Sequence, residues 1–365
     1  MKVLVIGYGH TKNDKRVART VDVFRECGFV HYQYWEDVEG RDKDEQWTNV
    51  RYYPLNRDFM KGPGRYVKRL HFDREILRLV REKDYDLAYF HFSPASMPLK
   101  IFCEVKKRGK KLIYDLHEIM PEQRLPERAS LFKPIMWKIL RKQFALCDGL
   151  VFASEDASDY MFQRTKQFTK RFILPNYAND FGSVAFKKHR KDEIIVVGGT
   201  QRDVSISEEL VKRLKDEFRI ISIGMKWSAA DENIPFLKYE QMMKRISRAL
   251  FTLIAFHSRS DLYYKNDIYS LPHKFYDSLA AGTPLIVAKR FASMRRIVER
   301  TGTGLVLDLI QEPEKDFAEI SNALNSYEEF LINLERYHDD FVWDKSKKDN
   351  FIRFAEETCG VSEGS

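Results

Sequence analysis

Short apolar runs alternate with amphipathic stretches along most of the chain. Val3 to Ile6 form the buried part of a predicted strand, Lys2–Gly7, which a Gly/His/Thr/Asn loop follows. Val17, Val21, Phe24 and Cys27 then share one face of a helix, with Asn13 or Asp14 as its N-cap and Gly28 as its stop. A strand over Val30–Trp35 completes a strand-helix-strand unit. The same alternation predicts strands at Leu87–Phe92, Lys111–Asp115, Gly149–Ala153 and Phe172–Leu174. Helices fall between them near Pro98–Lys107, Leu131–Phe144 and Glu155–Arg164. Residues 177–192 lose the apolar period and read as a linker.

The pattern then restarts. Strands are expected at Glu193–Gly198, Arg219–Gly224, Leu250–Ala255, Pro284–Ala288 and Gly304–Leu307. Helices are expected near Ser207–Asp216, Gln241–Arg248, Pro272–Ala281 and Ser293–Arg300, and a last one over about Trp343–Glu357. This order predicts two α/β halves, each with its own parallel sheet. Such sheets bind ligands beyond the carboxyl ends of their strands, so the expected site is a cleft between the halves.

The length of 365 residues agrees with two domains. No window approaches the roughly 18 apolar residues of a membrane span, and the N-terminus is too quickly polar for a signal peptide, so a cytoplasmic protein is expected. The four cysteines, Cys27, Cys103, Cys147 and Cys359, are too scattered for a zinc ribbon or a disulfide framework. Charge adds something new. The net +8 is concentrated in residues 1–185, which carry +9, while the remainder carries −1. That asymmetry points to a polyanionic partner for the first half: nucleic acid, an anionic membrane surface or a phosphorylated substrate.

Three segments could carry chemistry. Gly7-Tyr8-Gly9-His10-Thr11-Lys12 has a GxG turn but lacks the third glycine of a dinucleotide fingerprint, and polar residues Asn13 to Arg16 follow it. Asp115 closes a strand, with His117 and Glu118 in the next loop, where a parallel sheet places acid/base or substrate-orienting groups. Most informative is Ser270 to Ile286. Ser270 can cap a helix, Pro272 fits its first turn, and the amides there suit a diphosphate. Lys274 adds a cation, Asp277 lies one turn on, and Ala280-Ala281-Gly282-Thr283-Pro284 turns back into a strand.

Together these segments resemble a GT-B glycosyltransferase, closest to the large retaining family that uses nucleotide sugars, the family 4 type. The resemblance rests on Asn13 to Val17, Asp115 to Glu118, Leu174-Pro175-Asn176, Gly198-Gly199, and Lys274 to Pro284. It implies two Rossmann-like domains, an acceptor-binding one over 1–180 and a nucleotide-sugar-binding one over 190–340. A helix over 341–365, led by Trp343, would return across the cleft to the first.

By this resemblance the donor would be held by Gly199, Arg202, Ser270, His273, Lys274 and Asp277, with Asp277 on the ribose hydroxyls. Gly9, Asn13 and Arg16 would form the acceptor-side loop. His117 would address a sugar, and Asp115 or Glu118 would be the base of an inverting reaction. Relatives carry two glutamates eight apart; here the second position is Asp277, and the first is Tyr269, which cannot act as a carboxylate. Asp339-Asp340 lies near the terminal helix rather than in a DxD setting, so neither a metal nor a cofactor is expected. The nucleotide sugar, UDP- or GDP-linked, enters as substrate, and hexosyl transfer with retention is implied.

The basic excess falls partly in Arg57–Arg81 and in Leu131–Lys142, where aromatic and aliphatic residues alternate with Lys and Arg. Such stretches are either helices with an apolar face in the core or surfaces that rest on anionic lipid, where a lipid-linked acceptor would be met at the inner face of the membrane. No nucleic-acid module accompanies them, so no nucleic-acid partner is expected. Three readings follow: transfer to a glycan or lipid-linked acceptor in polysaccharide biosynthesis, a nucleotide-sugar epimerase of the same fold, and a non-catalytic GT-B-like glycan-assembly partner.

Overall fold

In the computed structural model the described residues are 1–12, 14–36, 46–56, 64–91, 99–122, 131–180, 193–197, 203–258 and 264–360. The chain divides into two compact units, Met1–Leu174 with Lys345–Ser365, and Pro175–Asp344.

The first unit is a parallel sheet with helices between its strands. β1 (Lys2–Thr11), β2 (Phe29–Trp35), β3 (Val50–Leu55), β4 (Leu87–His91), β5 (Lys111–Leu116), β6 (Gly149–Phe152) and β7 (Arg171–Ile173) lie in the order β3-β2-β1-β4-β5-β6-β7. The strand order reverses between β1 and β4, the point at which doubly wound sheets bind ligands beyond the carboxyl ends of their strands. Val3 to Ile6, Leu87 to Phe90 and Leu112 to Ile113 are fully buried, because both faces of a parallel sheet are covered. The helices are α1 (Lys15–Cys27), α2 (Arg65–Glu82), α3 (Leu99–Lys107), α4 (Lys133–Leu146) and α5 (Glu155–Thr165).

Asp14 is the N-cap of α1, its carboxylate accepting from the amides of Arg16 and Val17, and Ser154 caps α5 in the same way. The last helix, α14 (Lys345–Cys359), belongs to this unit. Phe351 meets the rings of Phe24, Tyr89 and Phe172, and Phe354 meets Phe172. Close approach requires Gly149 in β6, where an added Cβ would stand 2.9 Å from the Phe354 ring.

The second unit repeats the architecture. β8 (Glu193–Val197), β10 (Arg219–Ile223), β11 (Glu232–Ile234), β12 (Phe251–Ile254), β14 (Leu285–Ala288) and β15 (Gly304–Leu307) form a parallel sheet in the order β11-β10-β8-β12-β14-β15. Its reversal lies between β8 and β12. β9 (Asp203–Val204) and β13 (Phe256–His257) make a small antiparallel pair. The helices are α6 (Glu208–Glu217), α7 (Tyr239–Ile246), α8 (Lys265–Ile268), α9 (His273–Ala280), α10 (Ala292–Thr301), α11 (Pro313–Ala323), α12 (Tyr327–Arg336) and α13 (His338–Phe341).

Several sequence expectations are corrected. β3, which the apolar period does not announce, pairs along β2 as the edge strand, a place that tolerates its Pro54. α2 takes up the helical reading of the basic stretch, with Phe72, Ile76 and Val80 buried, whereas α11 and α12 went unpredicted. The start of the expected linker is not loose: Ala178 is buried and bridges Val342, with the Trp343 amide donating to its carbonyl. Pro272, not Ser270, occupies the N-cap position of α9, and no side chain caps that helix.

Candidate functional site

Each unit gathers polar side chains at the carboxyl ends of its strands. In the first unit the centre is Asp115, at the end of β5 and fully buried. Arg16, in the first turn of α1, meets it with three contacts: Nε to both carboxylate oxygens at 3.1 and 3.0 Å, and Nη2 to one at 2.7 Å. A further guanidinium nitrogen donates to the Leu174 carbonyl. Tyr89 of β4 donates its hydroxyl to the same carboxylate at 2.9 Å. Burial alone would raise the Asp115 pKa, but Arg16 and the neighbouring histidines outweigh it and hold the carboxyl well below its ordinary range.

Three histidines close the cluster. His91 ends β4 and is fully buried; its Nδ1 lies 3.1 Å from Nε2 of His117 and 3.4 Å from Asp115. His117 is partly exposed, with Nε2 turned inward at 3.8 Å from Asp115. His10, at the end of β1, has its ring 4.7 Å from that of His117 and its Nδ1 3.2 Å from Asp14. Burial lowers the pKa of both His91 and His117, with Asp115 only partly opposing the shift, so both imidazoles are neutral at pH 7. The cluster therefore lies at the β1/β4 reversal, on β1, β4 and β5.

His91, Asp115 and His117 bring three ligand-type atoms within 4.8 Å of one another, the residue types of a cation site. Asp115, however, already spends both oxygens on Arg16 and Tyr89, and the guanidinium 3 Å away neutralises its charge. The arrangement suits an internal hydrogen-bonded network better than a divalent ion.

These contacts change the sequence expectations. Arg16, expected to serve the acceptor side, is committed to Asp115. Asp115, expected as a possible base, has no solvent-facing oxygen. Glu118 is exposed. Gly9 has ordinary space around it, an added Cβ standing 3.8 Å from Trp35; Gly7 is the constrained glycine, 2.8 Å from the Gln33 carbonyl by the same measure. Asn13 lies outside the described residues. His10, Tyr89 and His91 were not singled out, because each reaches the cluster through sheet neighbours distant in sequence.

In the second unit Lys274, in the first turn of α9, donates from Nζ to the Val197 carbonyl at the carboxyl end of β8 (2.8 Å) and stands 4.3 Å over the Phe256 ring. Phe256 stacks on Phe291 with ring centroids 4.7 Å apart. Arg290, two residues past β14, donates from Nη2 to the Phe256 carbonyl, while its Nε and Nη1 are buried without partners among the described residues. Burial lowers its pKa, and Asp267 partly compensates. A guanidinium with two unspent donors beside a sheet's carboxyl edge is equipped for an anion. Sequence reading missed it because nothing local marks Arg290.

Asp277 is buried within α9 and accepts from the Tyr239 hydroxyl at 2.9 Å. Ser270 and His273 flank the start of that helix, both partly exposed. Asn176 donates to the Leu271 carbonyl at 2.8 Å, which ties the loop before α9. Gly199 and Arg202 lie outside the described residues.

Residues 21–176 match the sequence model of Glycosyltransferase Family 4. No curated protein matches the chain in sequence. Among solved structures, sucrose-phosphate synthase from Thermosynechococcus elongatus is 12% identical, with a TM-score of 0.70 over 99% of this chain and 100% of that one. The trehalose-6-phosphate protein from E. coli bound with UDP-2-fluoro glucose is also 12% identical, with a TM-score of 0.66 over 99% and 100%. The Anabaena protein HepE in complex with UDP is 12% identical, with a TM-score of 0.64 over 98% and 100%. The fold is that of the GT-B glycosyltransferases, with two parallel-sheet, Rossmann-like units.

Proposed function

We propose that the chain transfers a sugar from a nucleoside diphosphate to a glycan or lipid-linked acceptor. The observation that carries this reading is the position of Lys274. Its ammonium sits at the carboxyl end of β8, beside the β8/β12 reversal and in the first turn of α9, where a nucleotide's diphosphate meets positive charge and helix amides. Glycosyl transfer needs the leaving diphosphate stabilised as charge builds on it, and fixed donors already oriented at that point serve best. Lys274, Arg290 and Arg202 are assigned that role, which meets the donor's charge without a divalent ion. UDP is the first nucleotide to test, since two of the similar structures hold UDP or a UDP sugar. Asp277, through Tyr239, shapes the helix beside the ribose, and His117 is assigned to the reacting sugar.

The test is calorimetric titration with UDP and GDP, followed by product analysis with nucleotide sugars. Lys274→Ala and Arg202→Ala should each weaken nucleotide binding by about 1–3 kcal/mol. Unchanged affinity in both removes the assignment. An epimerised donor formed without acceptor would replace transfer by the second enzymatic reading. Binding without turnover would leave an assembly partner.

An acceptor carried on lipid is favoured by one surface. Leu131 (82%) and Phe132 (58%), just before α4, and Ile135 (53%) in its first turn are exposed, with Lys138, Arg141 and Lys142 exposed on the same helix. Apolar side chains ringed by cations are the pattern of a peripheral contact with anionic lipid. No helix among the described residues is long and apolar enough to cross a membrane.

A further inference from the structure

His91 has no part in the reading above, yet it is buried against the one histidine assigned to the reacting sugar. Its Nδ1 and the Nε2 of His117 are 3.1 Å apart, so in a pair of neutral imidazoles one of the two nitrogens carries the shared proton. Two arrangements compete. If His117 carried the proton on Nε2, the Nδ1 of His91 would present a lone pair to it and to the Asp115 carboxylate 3.4 Å away. The proton of His91 would then sit on its own Nε2, which is buried and has no partner among the described residues. That state combines a repulsive contact with an orphaned N–H, and orphaned buried donors are rarer than orphaned acceptors. If His91 instead carries its proton on Nδ1, that N–H points at both His117 Nε2 and the ionised Asp115. Arg16 and Tyr89 keep Asp115 ionised and fixed.

We propose that His91 is a positioning residue that holds His117 as its Nδ1–H tautomer, so that the outer edge of His117 donates a hydrogen bond to a sugar oxygen instead of taking a proton. Nε2 is the nitrogen turned inward, the His117 side chain is 16% exposed, and Nδ1 is the nitrogen across the ring. A neutral N–H donor beside an electron-rich hydroxyl or ring oxygen orients the sugar. It also accounts for the investment in a buried Arg16–Asp115–Tyr89 network behind the pair, since that network fixes which nitrogen of His91 is protonated. The tautomer assignment concerns the protein alone; its use on a sugar rests on the glycosyltransferase reading.

The deciding measurement is long-range proton–nitrogen NMR on the full chain with ring-labelled histidine at pH 7.5, His91 and His117 being assigned from the signals lost in His91→Phe and His117→Asn. Both residues are expected with the proton on Nδ1, the reverse of the tautomer that exposed histidines favour. A proton on Nε2 of His117 overturns the proposal. So does stoichiometric Zn²⁺ that captures both rings, because a bound metal would take the shared proton's place. In activity assays, His91→Phe should lower turnover roughly tenfold with nucleotide affinity unchanged. His91→Asn, whose amide N–H falls near the lost Nδ1–H, should recover most of it. Equal loss in both variants would reduce His91 to packing and overturn the positioning role. If no nucleotide sugar is turned over at all, the glycosyltransferase reading fails, while the NMR result still decides the tautomer.

Discussion

Replacing Arg16 with Met strands a carboxylate in the core. Asp115 is fully buried, and the Arg16 side chain is 4% exposed. The three contacts at 2.7 to 3.1 Å therefore operate with almost no solvent screening. Met matches the length of the stem but supplies no charge, so Asp115 keeps only the Tyr89 hydroxyl and the two histidines. Breaking a buried pair from one side costs about 3–5 kcal/mol, which for a unit of this size lowers the melting point by roughly 6–20 °C.

The dependence on pH carries a definite sign. In the wild type the Asp115 pKa is lowered, so its stabilisation is complete above the unfolded value of about 3.9 and is lost only as pH falls through the lower folded value. In Arg16→Met burial acts without its counterion and raises the pKa instead. The deficit should therefore be largest at neutral pH and shrink as acid protonates the stranded group. Urea unfolding at pH 7.5 and pH 5, followed by fluorescence from the buried Trp35 and Trp137, reads both quantities. The double variant Arg16→Met with Asp115→Asn should recover part of the loss, since the uncompensated charge is gone. A loss below about 1 kcal/mol, or one identical at both pH values, would refute the account of a desolvated ion pair.

Other outcomes can be checked separately. Gly149→Ala pushes a Cβ to 2.9 Å from Phe354 and 3.3 Å from Ile113 and Thr358, so it should cost about 1–3 kcal/mol by overpacking α14 on β6. Unchanged urea unfolding would show that α14 can move away freely. Lys138→Glu, Arg141→Glu and Lys142→Glu together should abolish sedimentation with anionic liposomes while leaving nucleotide binding by calorimetry intact. Equal sedimentation of wild type and variant would remove the lipid contact.

Much of the framework is readable in the chain itself. The short apolar runs Val3–Ile6, Leu112–Ile113, Ile194–Val197 and Leu285–Ala288 fit strands buried on both faces, and each lies in one. Asp14, Ser154 and Ser207 mark helix starts because their oxygens satisfy first-turn amides locally. The period weakens where burial is slight. β3 is an edge strand of mixed exposure, and α2 exposes Val67 and Leu70 along with its charges.

The candidate sites divide along the same line. Lys274 and Asp277 stand out from local spacing alone, since a helix start and its next turn are fixed within a few residues. The commitment of Arg16 to Asp115 joins residues 99 positions apart, and Tyr89 and His91 reach the same carboxylate from a third strand. Arg290 likewise finds the Phe256 carbonyl 34 residues away. Apolar period and capping are short-range properties, so sequence alone determined most of the segments that become strands and helices, though not β3, α11 or α12. The order in which strands lie side by side is set by packing across the whole sheet, and that order decided which polar groups share a low-dielectric site and which protons they can hold.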